Sequence, residues 1–518
     1  MNKDPLLEEL KERRAHAERM GGEERVAKQE ARGKKTARER IAMLADNGSF
    51  TEYGQLATHE SVRGYAQSVE EVSAADGVVC GVAKINGSPA VVVAEDFTVK
   101  AGTYGIVHGQ KKRRMVRLAL QERLPAVWLL DGAGARAQEM IGEGLPEGIN
   151  YLLMAELSAT APQVAIVMGP SAGDSSLIAA LTQFIIMVRP LAMLAAGGPP
   201  IVKAATGQDI SKEDLGGSDI HCRISGVADN AVETEEEAIM LAKRFLSYLP
   251  VNAWEYPPRL DTDDPADRLC DDLPGIVPSN PRFPYDMKKL ICSVADGESF
   301  FEIKPEHAQE LIAGFARMDG HPVGFVANQP MVGAGSITAA AARKARHFID
   351  MCNAYHVPLV FLQDVPGLMP GPQSEREGAL RAGLALTYSL AWAEVPRVTV
   401  VIRKAFGYGA CAMAGAGAGQ SVVLAWPGAD FGSLPPTSAI LSAHARELEE
   451  AEDREALMKE LLERYQKCSG AFQAAQVFNI DDVIDPRETR MRINRALEMS
   501  RLKRSESARP PTRAGVMP

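Results

Sequence analysis

Two stretches of this chain run from an apolar, strand-like segment into a glycine-rich turn and then a helical pattern: VAIVM before GPSAGDSS (169–176), and VTVVI before RKAFGYGACAM (403–413). Such a turn leaves backbone N–H groups without partners, and the helix dipole adds positive potential there, so it can hold an oxyanion. The competing reading is a tight turn that uses Gly for close packing. Recurrence at the same place in both halves of the chain favours the first reading, with the two turns taken as one constellation. A second candidate is the helical pattern HGQKKRRMVRLAL, which carries Lys111, Lys112, Arg113, Arg114 and Arg117 directly after the Gly-rich AGTYG. A basic run of this kind is either a solvated helix face or a place for phosphates.

Other chemistries find little support. His108, His221, His307 and His347 stand in no HExxH-like spacing, and neither a GxSxG elbow nor a GxxxxGK[ST] loop occurs. Asp131 and Asp364 close strand-like segments at equivalent places, where a cap or turn former is the ordinary role, and are taken as structural. Cys411, just past the second turn, is either a nucleophile or a small apolar pocket residue, and with no His nearby in sequence the second is favoured.

Composition narrows the field further. With 46% hydrophobic and 24% charged residues the chain matches soluble globular proteins, which argues against disordered, collagenous and membrane classes. A formal charge of -10 argues against a general nucleic-acid surface, so any anion site must be local. The 7 cysteines form no CxxC pair, which signals neither a zinc ribbon nor a dithiol site and fits a reduced, cytoplasmic setting. The opening MNKDPLLEELKERRAHAERM is charged throughout and lacks the apolar core of a signal peptide. The most apolar stretch, Leu177 to Gly198, is interrupted by Thr182, Gln183, Arg189 and Pro190 and is read as a buried helix and turn rather than a membrane span.

The elements that position the two turns occur twice. GVAKINGSPAVVVAEDF, from Gly81, centres on Asn86-Gly87, a strong hairpin signal, and GFARMDGHPVGFVANQ repeats it from Gly314, 233 residues later. At that offset Gly87 meets Gly320, Lys111 meets Lys344, Arg113 meets Arg346 and Asp131 meets Asp364; one residue of slip then aligns Gly173 with Gly407. So long a repeat is a duplicated domain rather than a solenoid. Strands alternate with helices in each copy, which predicts α/β layers with mostly parallel pairing. The 518 residues fit two domains of about 200–250 residues each. A Pro- and Asp-dense stretch separates the copies, giving an N-terminal domain over 1–257, a linker over 258–286 and a C-terminal domain over 287–518. The tail from Arg504 to Pro518 has the composition of a frayed end, and the first 45 residues that of a charged helical arm.

Together these segments resemble the β subunit of biotin-dependent acyl-CoA carboxylases, the family of propionyl-CoA and methylcrotonyl-CoA carboxylases. The resemblance covers nearly the whole chain and is carried by RGKKTARERIAMLADNGSF, INGSPAVVVAEDFTV, GPSAG, LGGSDIHCRISGVAD, FFEIKPEHAQELIAGFARMDG, QDVPGLMPG, RKAFG and IDDVIDPRETR. It implies two duplicated crotonase-like domains of the ClpP/crotonase superfamily, β-β-α superhelices, assembled as a homohexamer (a trimer of dimers). The active site would then lie where the N-domain of one subunit faces the C-domain of another. Acyl-CoA is expected on the N-domain and biotin on the C-domain, the biotin being carried on a separate domain or subunit. Biotin carboxylase and biotin carrier are the implied partners, with no metal and no side-chain nucleophile. Decarboxylating carboxybiotin and deprotonating an acyl-CoA α-carbon each create an anion, and two oxyanion holes fit two anions. Decarboxylated biotin is the implied base for the α-proton.

Carried over by position, the first hole maps to the backbone N–H groups of Gly173 and Asp174, assigned to the thioester. The second maps to those of Tyr408 and Gly409, assigned to the biotin ureido. Cys411 resembles the residue that helps select the acyl group, and Lys111, Lys112, Arg113 and Arg114 are the candidates for CoA phosphates. The chain departs from the family in carrying Gly173-Asp174 and Gly407-Tyr408 where propionyl-CoA carboxylases have Gly-Gly, and in ADFGSLPPTSAI (429–440) where a Gly-rich helix start is usual. Any residue but Pro keeps the N–H, so the chemistry survives these changes. Two alternatives stay beside this reading: the carboxyltransferase subunit of a sodium-pumping acyl-CoA decarboxylase, and a CoA-binding assembly subunit without catalysis.

Overall fold

The computed structural model describes residues 4–59, 72–136, 139, 151–280, 283–415, 417, 419–466, 469–501 and 508–518. The chain divides into two compact units, Met1–Glu255 together with Ala514–Pro518, and Tyr256–Arg513.

In the first unit the strands are β1 (Thr51–Tyr53), β2 (Val78–Ile85), β3 (Ser88–Glu95), β4 (Ala126–Leu130), β5 (Gln163–Val167), β6 (Pro170–Ala172), β7 (Phe184–Val188), β8 (Met193–Ala195) and β9 (Asn230–Val232). The main sheet runs β1-β2-β3-β4-β5-β7-β9, while β6 and β8 pair separately. The β2–β3 hairpin is antiparallel and every pairing from β3 onward is parallel. Its turn is Asn86-Gly87, with φ of 51° and 80°, the left-handed pair that suits the twist of a two-residue hairpin. AVWLL, QVAIV and FIIMV are buried along their whole length, as expected of parallel strands covered on both faces. The helix Ile106–Glu122 lays Met115, Val116 and Ala119 on the core formed by Val91, Val93, Trp128 and Val167.

The second unit repeats the plan with β10 (Phe301–Ile303), β11 (Leu311–Met318), β12 (His321–Asn328), β13 (Leu359–Val365), β14 (Arg397–Phe406), β15 (Val422–Ala425), β16 (Asp430–Gly432) and β17 (Asp482–Val483). Its sheet runs β10-β11-β12-β13-β14-β15-β17, with β16 on β14. The β11–β12 hairpin begins and ends 233 residues after β2–β3, and Asp319-Gly320 make its turn with φ of 52° and 74°. The helix Ala339–Ala354 answers to Ile106–Glu122.

Three expectations change. The proposed linker over 258–286 packs on the second unit: Leu273 and Cys270 enter its core, Leu260 N–H bonds Gly320 O at 3.0 Å, and the Arg268 guanidinium bonds Ser293 O at 2.9 Å. Its Pro and Asp residues shape turns, while its few apolar side chains fix it in place. The chain end is also held, Val516 N–H bonding Ser158 Oγ of the first unit at 3.2 Å. The apolar stretch after Leu177 continues the helix Asp174–Ala180 only briefly and then forms β7 and β8, because FIIMV is β-branched enough to fill a central strand. No helix among the described residues is long and apolar enough to cross a membrane.

Candidate active site

In the first unit β5 is followed by β6, whose Ala172 pairs with Ala195 of β8. Gly173 then turns the chain with φ 61° and ψ −121°, an arrangement that a residue with a Cβ enters only under strain, and the helix Asp174–Ala180 begins. The two donors assigned to this turn fare differently. Gly173 N–H is engaged, bonding Ala195 O at 3.2 Å, so the parallel pairing of β6 with β8 extends through it. Asp174 is the first helical residue, and its N–H has no partner among the described residues.

Beneath this turn lies a buried polar cluster. Glu95, at the end of β3, accepts at Oε1 from Lys112 Nζ at 2.5 Å and from Ser175 Oγ at 2.6 Å, and at Oε2 from Asp131 N–H at 2.7 Å. Lys112 Nζ also reaches Asp174 Oδ2 at 3.2 Å, and the Tyr151 hydroxyl donates to Asp174 Oδ1 at 3.0 Å. Burial opposes the Lys112 charge, but the Glu95 and Asp174 carboxylates outweigh it and hold this ammonium above the usual lysine range. Burial, with Asp174 nearby, pushes the Tyr104 hydroxyl up to about 12. Asp131 is structural in geometry too, pairing with Lys34 Nζ at 2.6 Å and Arg40 Nη1 at 2.9 Å, which binds the N-terminal segment into the first unit.

The basic helix needs correction at two of its four candidates. Lys111 is buried, and its ammonium donates to Ala75 O at 2.7 Å and Val78 O at 2.5 Å. Lys112 is fully buried against Glu95. Neither faces outward to meet a phosphate, because the helix rotates positions 111 and 112 onto the sheet. Arg113 is half-buried and Arg114 exposed.

In the second unit β14 runs into Gly407, at φ 54°, and the helix Gly407–Ala412. Tyr408 and Gly409 are its second and third residues, and their N–H groups have no partner among the described residues. Gly409 is required by packing: a Cβ there would lie 2.8 Å from both Gly367 Cα and Val365 Cγ2. The Tyr408 ring turns back onto the helix Ala379–Trp392, its hydroxyl donating to Gly383 O at 2.7 Å and sharing a bond with Thr387 Oγ1. Gln363 Nε2 ties the helix to β13 through Ala410 O at 3.1 Å. Asp364 is paired with Arg403 Nε at 3.0 Å, matching the structural reading of that residue. Cys411 is exposed on its unit. Among the described residues no group of three His, Cys, Asp or Glu is arranged to hold a metal.

Sequence reasoning missed Glu95, Ser175 and Tyr151. Ser175 lies within the GPSAGDSS turn and Glu95 within the repeated hairpin segment, but their contact with Lys112 depends on helix rotation that the sequence does not show. Tyr151 carries no such signal.

Two crotonase-like units, each starting a short helix just past an equivalent parallel strand, define the class of fold. A carboxyl transferase domain model matches residues 28–516, and the chain belongs to that family, as a carboxyltransferase subunit of the biotin-dependent acyl-CoA carboxylases. It is 38% identical over 520 residues to the propionyl-CoA carboxylase carboxyltransferase subunit of Haloferax mediterranei, covering 100% of both chains. It is 36% identical to the methylmalonyl-CoA decarboxylase subunit alpha of Veillonella parvula, covering 99% of this chain and 98% of that one. The crystal structure of the transcarboxylase 12S hexamer with methylmalonyl-coenzyme A bound superposes with a TM-score of 0.91 at 36% identity, covering 100% of this chain and 99% of that one.

Proposed function

We propose that this subunit uses its first turn for the thioester of an acyl-CoA and its second for the ureido oxygen of a biotin carried on another chain. The carboxyl group passes between the biotin nitrogen and the acyl α-carbon, and decarboxylated biotin takes the α-proton. Asp174 N–H meets the oxygen of the thioester enolate, and the N–H groups of Tyr408 and Gly409 meet the ureido oxyanion. The observation that carries this reading is the pair of helix starts after β6 and β14, in equivalent turns of the duplication, with Asp174 N–H in the first and the Tyr408 and Gly409 N–H groups in the second lacking partners among the described residues. The reading extends to a hexamer, as in transcarboxylase 12S, with acyl-CoA on the first unit, biotin on the second and a biotin carboxylase supplying carboxybiotin.

The chain contains no Met-Lys-Met sequence of the biotin-accepting kind and no GxxxxGK loop. The test supplies the purified subunit with a biotinylated carrier protein and methylmalonyl-CoA labelled in its free carboxyl. Label on the carrier biotin is the expected result. A folded subunit that leaves the carrier unlabelled, or that itself carries covalent biotin by mass spectrometry, overturns the reading.

A further inference from the structure

An acid stands on the residue whose N–H is to meet an anion. Asp174 offers its backbone donor at the start of the helix Asp174–Ala180 and carries a carboxylate on the same Cα, so an unopposed side-chain charge would repel the developing enolate oxygen. That carboxylate is restrained at both oxygens, Oδ2 by Lys112 Nζ at 3.2 Å and Oδ1 by the Tyr151 hydroxyl at 3.0 Å. Lys112 is itself fully buried and anchored on Glu95 at 2.5 Å.

The duplication supplies an internal comparison. The positions equivalent to Glu95, Lys112 and Asp174 in the second unit are Asn328, Ala345 and Tyr408, none of them charged. Asn328 Oδ1 accepts the Asp364 N–H at 3.2 Å, as Glu95 Oε2 accepts the Asp131 N–H at 2.7 Å. The fold therefore keeps the backbone-holding half of Glu95's role without any charge and without a lysine. Of the two equivalent positions, Lys112 and Ala345, the lysine occurs in the unit whose turn bears an acid.

We propose that Lys112 is a positioning residue of the first turn: it pairs with the Asp174 carboxylate and holds it back, so the turn still favours an oxyanion although it carries an acid. The inference rests on the reading that Asp174 N–H serves the thioester. Lys112 touches neither substrate nor reacting atom. Its effect passes through Asp174, so removing the Asp174 charge should make Lys112 dispensable.

The experiment compares Glu95→Gln/Lys112→Met, in which the buried pair is neutralised together, with the same variant also carrying Asp174→Asn, in the carboxyl-transfer assay with the complete complex. The double variant should lose about 10- to 100-fold in kcat with KM for acyl-CoA within about threefold, and the triple variant should recover at least about tenfold. A double variant as fast as the parent, or a triple variant as slow as the double, overturns the proposal. If that background does not fold, Lys112→Arg against Lys112→Gln gives the same answer: the arginine variant should be faster by about tenfold, and equal rates overturn the proposal. A separate arm, Asp174→Pro against Asp174→Ala, reports on the premise alone; equal rates there show that the first turn is not a donor, and the proposal falls with it.

Discussion

Lys111 and Lys344, 233 positions apart, make the same bond in their two units, each ammonium lying against the carbonyl that opens the first hairpin strand, Val78 O at 2.5 Å and Leu311 O at 2.7 Å. Lys344 adds Lys304 O at 2.8 Å and His307 O at 3.0 Å. A buried carbonyl stripped of its donor costs about 1–3 kcal/mol. Lys111→Met and Lys344→Met should therefore each lower the thermal unfolding temperature by several degrees. Lys111→Met should also leave the salt dependence of acyl-CoA KM unchanged. A KM that rises at low salt without loss of stability would restore Lys111 to the phosphate reading.

Phosphate contact, if it is made from this helix, falls to Arg113 and Arg114, the half-buried and the exposed member of the run. Replacing both by Ala should raise acyl-CoA KM about 3- to 10-fold with a smaller change in kcat, because such contacts are made equally in ground and transition states. The effect should shrink at high salt. An unchanged KM at low ionic strength returns both to a solvated helix face.

Much of this arrangement was legible in the residues. Asn86-Gly87 and the repeat at an offset of 233 gave both hairpins, because a left-handed turn and a period-two apolar pattern are local properties. The turns at Gly173 and Gly407 were legible for the same reason. What stayed hidden depends on helix rotation and sheet geometry. A basic run reads as one patch, yet Lys111 and Lys112 point to the sheet while Arg114 points to solvent, and only the packed helix distinguishes them. Similarly, the engagement of Gly173 N–H follows from the pairing of β6 with β8, three-residue strands whose partnership no local pattern announces. The stretch over 258–286 looked like a tether by its Pro and Asp content, but the burial of Leu273 and Cys270 decides its position.

Tyr104 offers a pH test of the buried cluster. Its hydroxyl is buried with no partner among the described residues, and burial pushes it up to about 12 against an ordinary value of about 10. The folded state thus holds the proton more tightly between about 10 and 12, so this residue's contribution is intact below 10 and is lost as pH rises toward 12. Tyr104→Phe should cost little at neutral pH, since no hydrogen bond is broken, and should remove that part of the alkaline decline in unfolding temperature. Parallel curves for the two proteins would contradict the assignment.

Cys411 lies two residues past Gly409 on the helix Gly407–Ala412. An ionised carboxylate there disfavours apolar burial nearby, so Cys411→Asp should shift the kcat/KM ratio toward shorter acyl-CoAs, read from a panel of chain lengths. An unchanged ratio would mean that position 411 does not face the acyl chain.

Asp174→Pro compared with Asp174→Ala isolates the single backbone donor at the first turn. Both variants lose the carboxylate, but only the proline loses the N–H, and the first helical position accepts proline. With both proteins folded by thermal unfolding, kcat for carboxyl transfer in the proline variant should fall about 10²- to 10³-fold below that of the alanine variant, at nearly equal KM. Equal kcat values would contradict the assignment of Asp174 N–H to the thioester oxyanion.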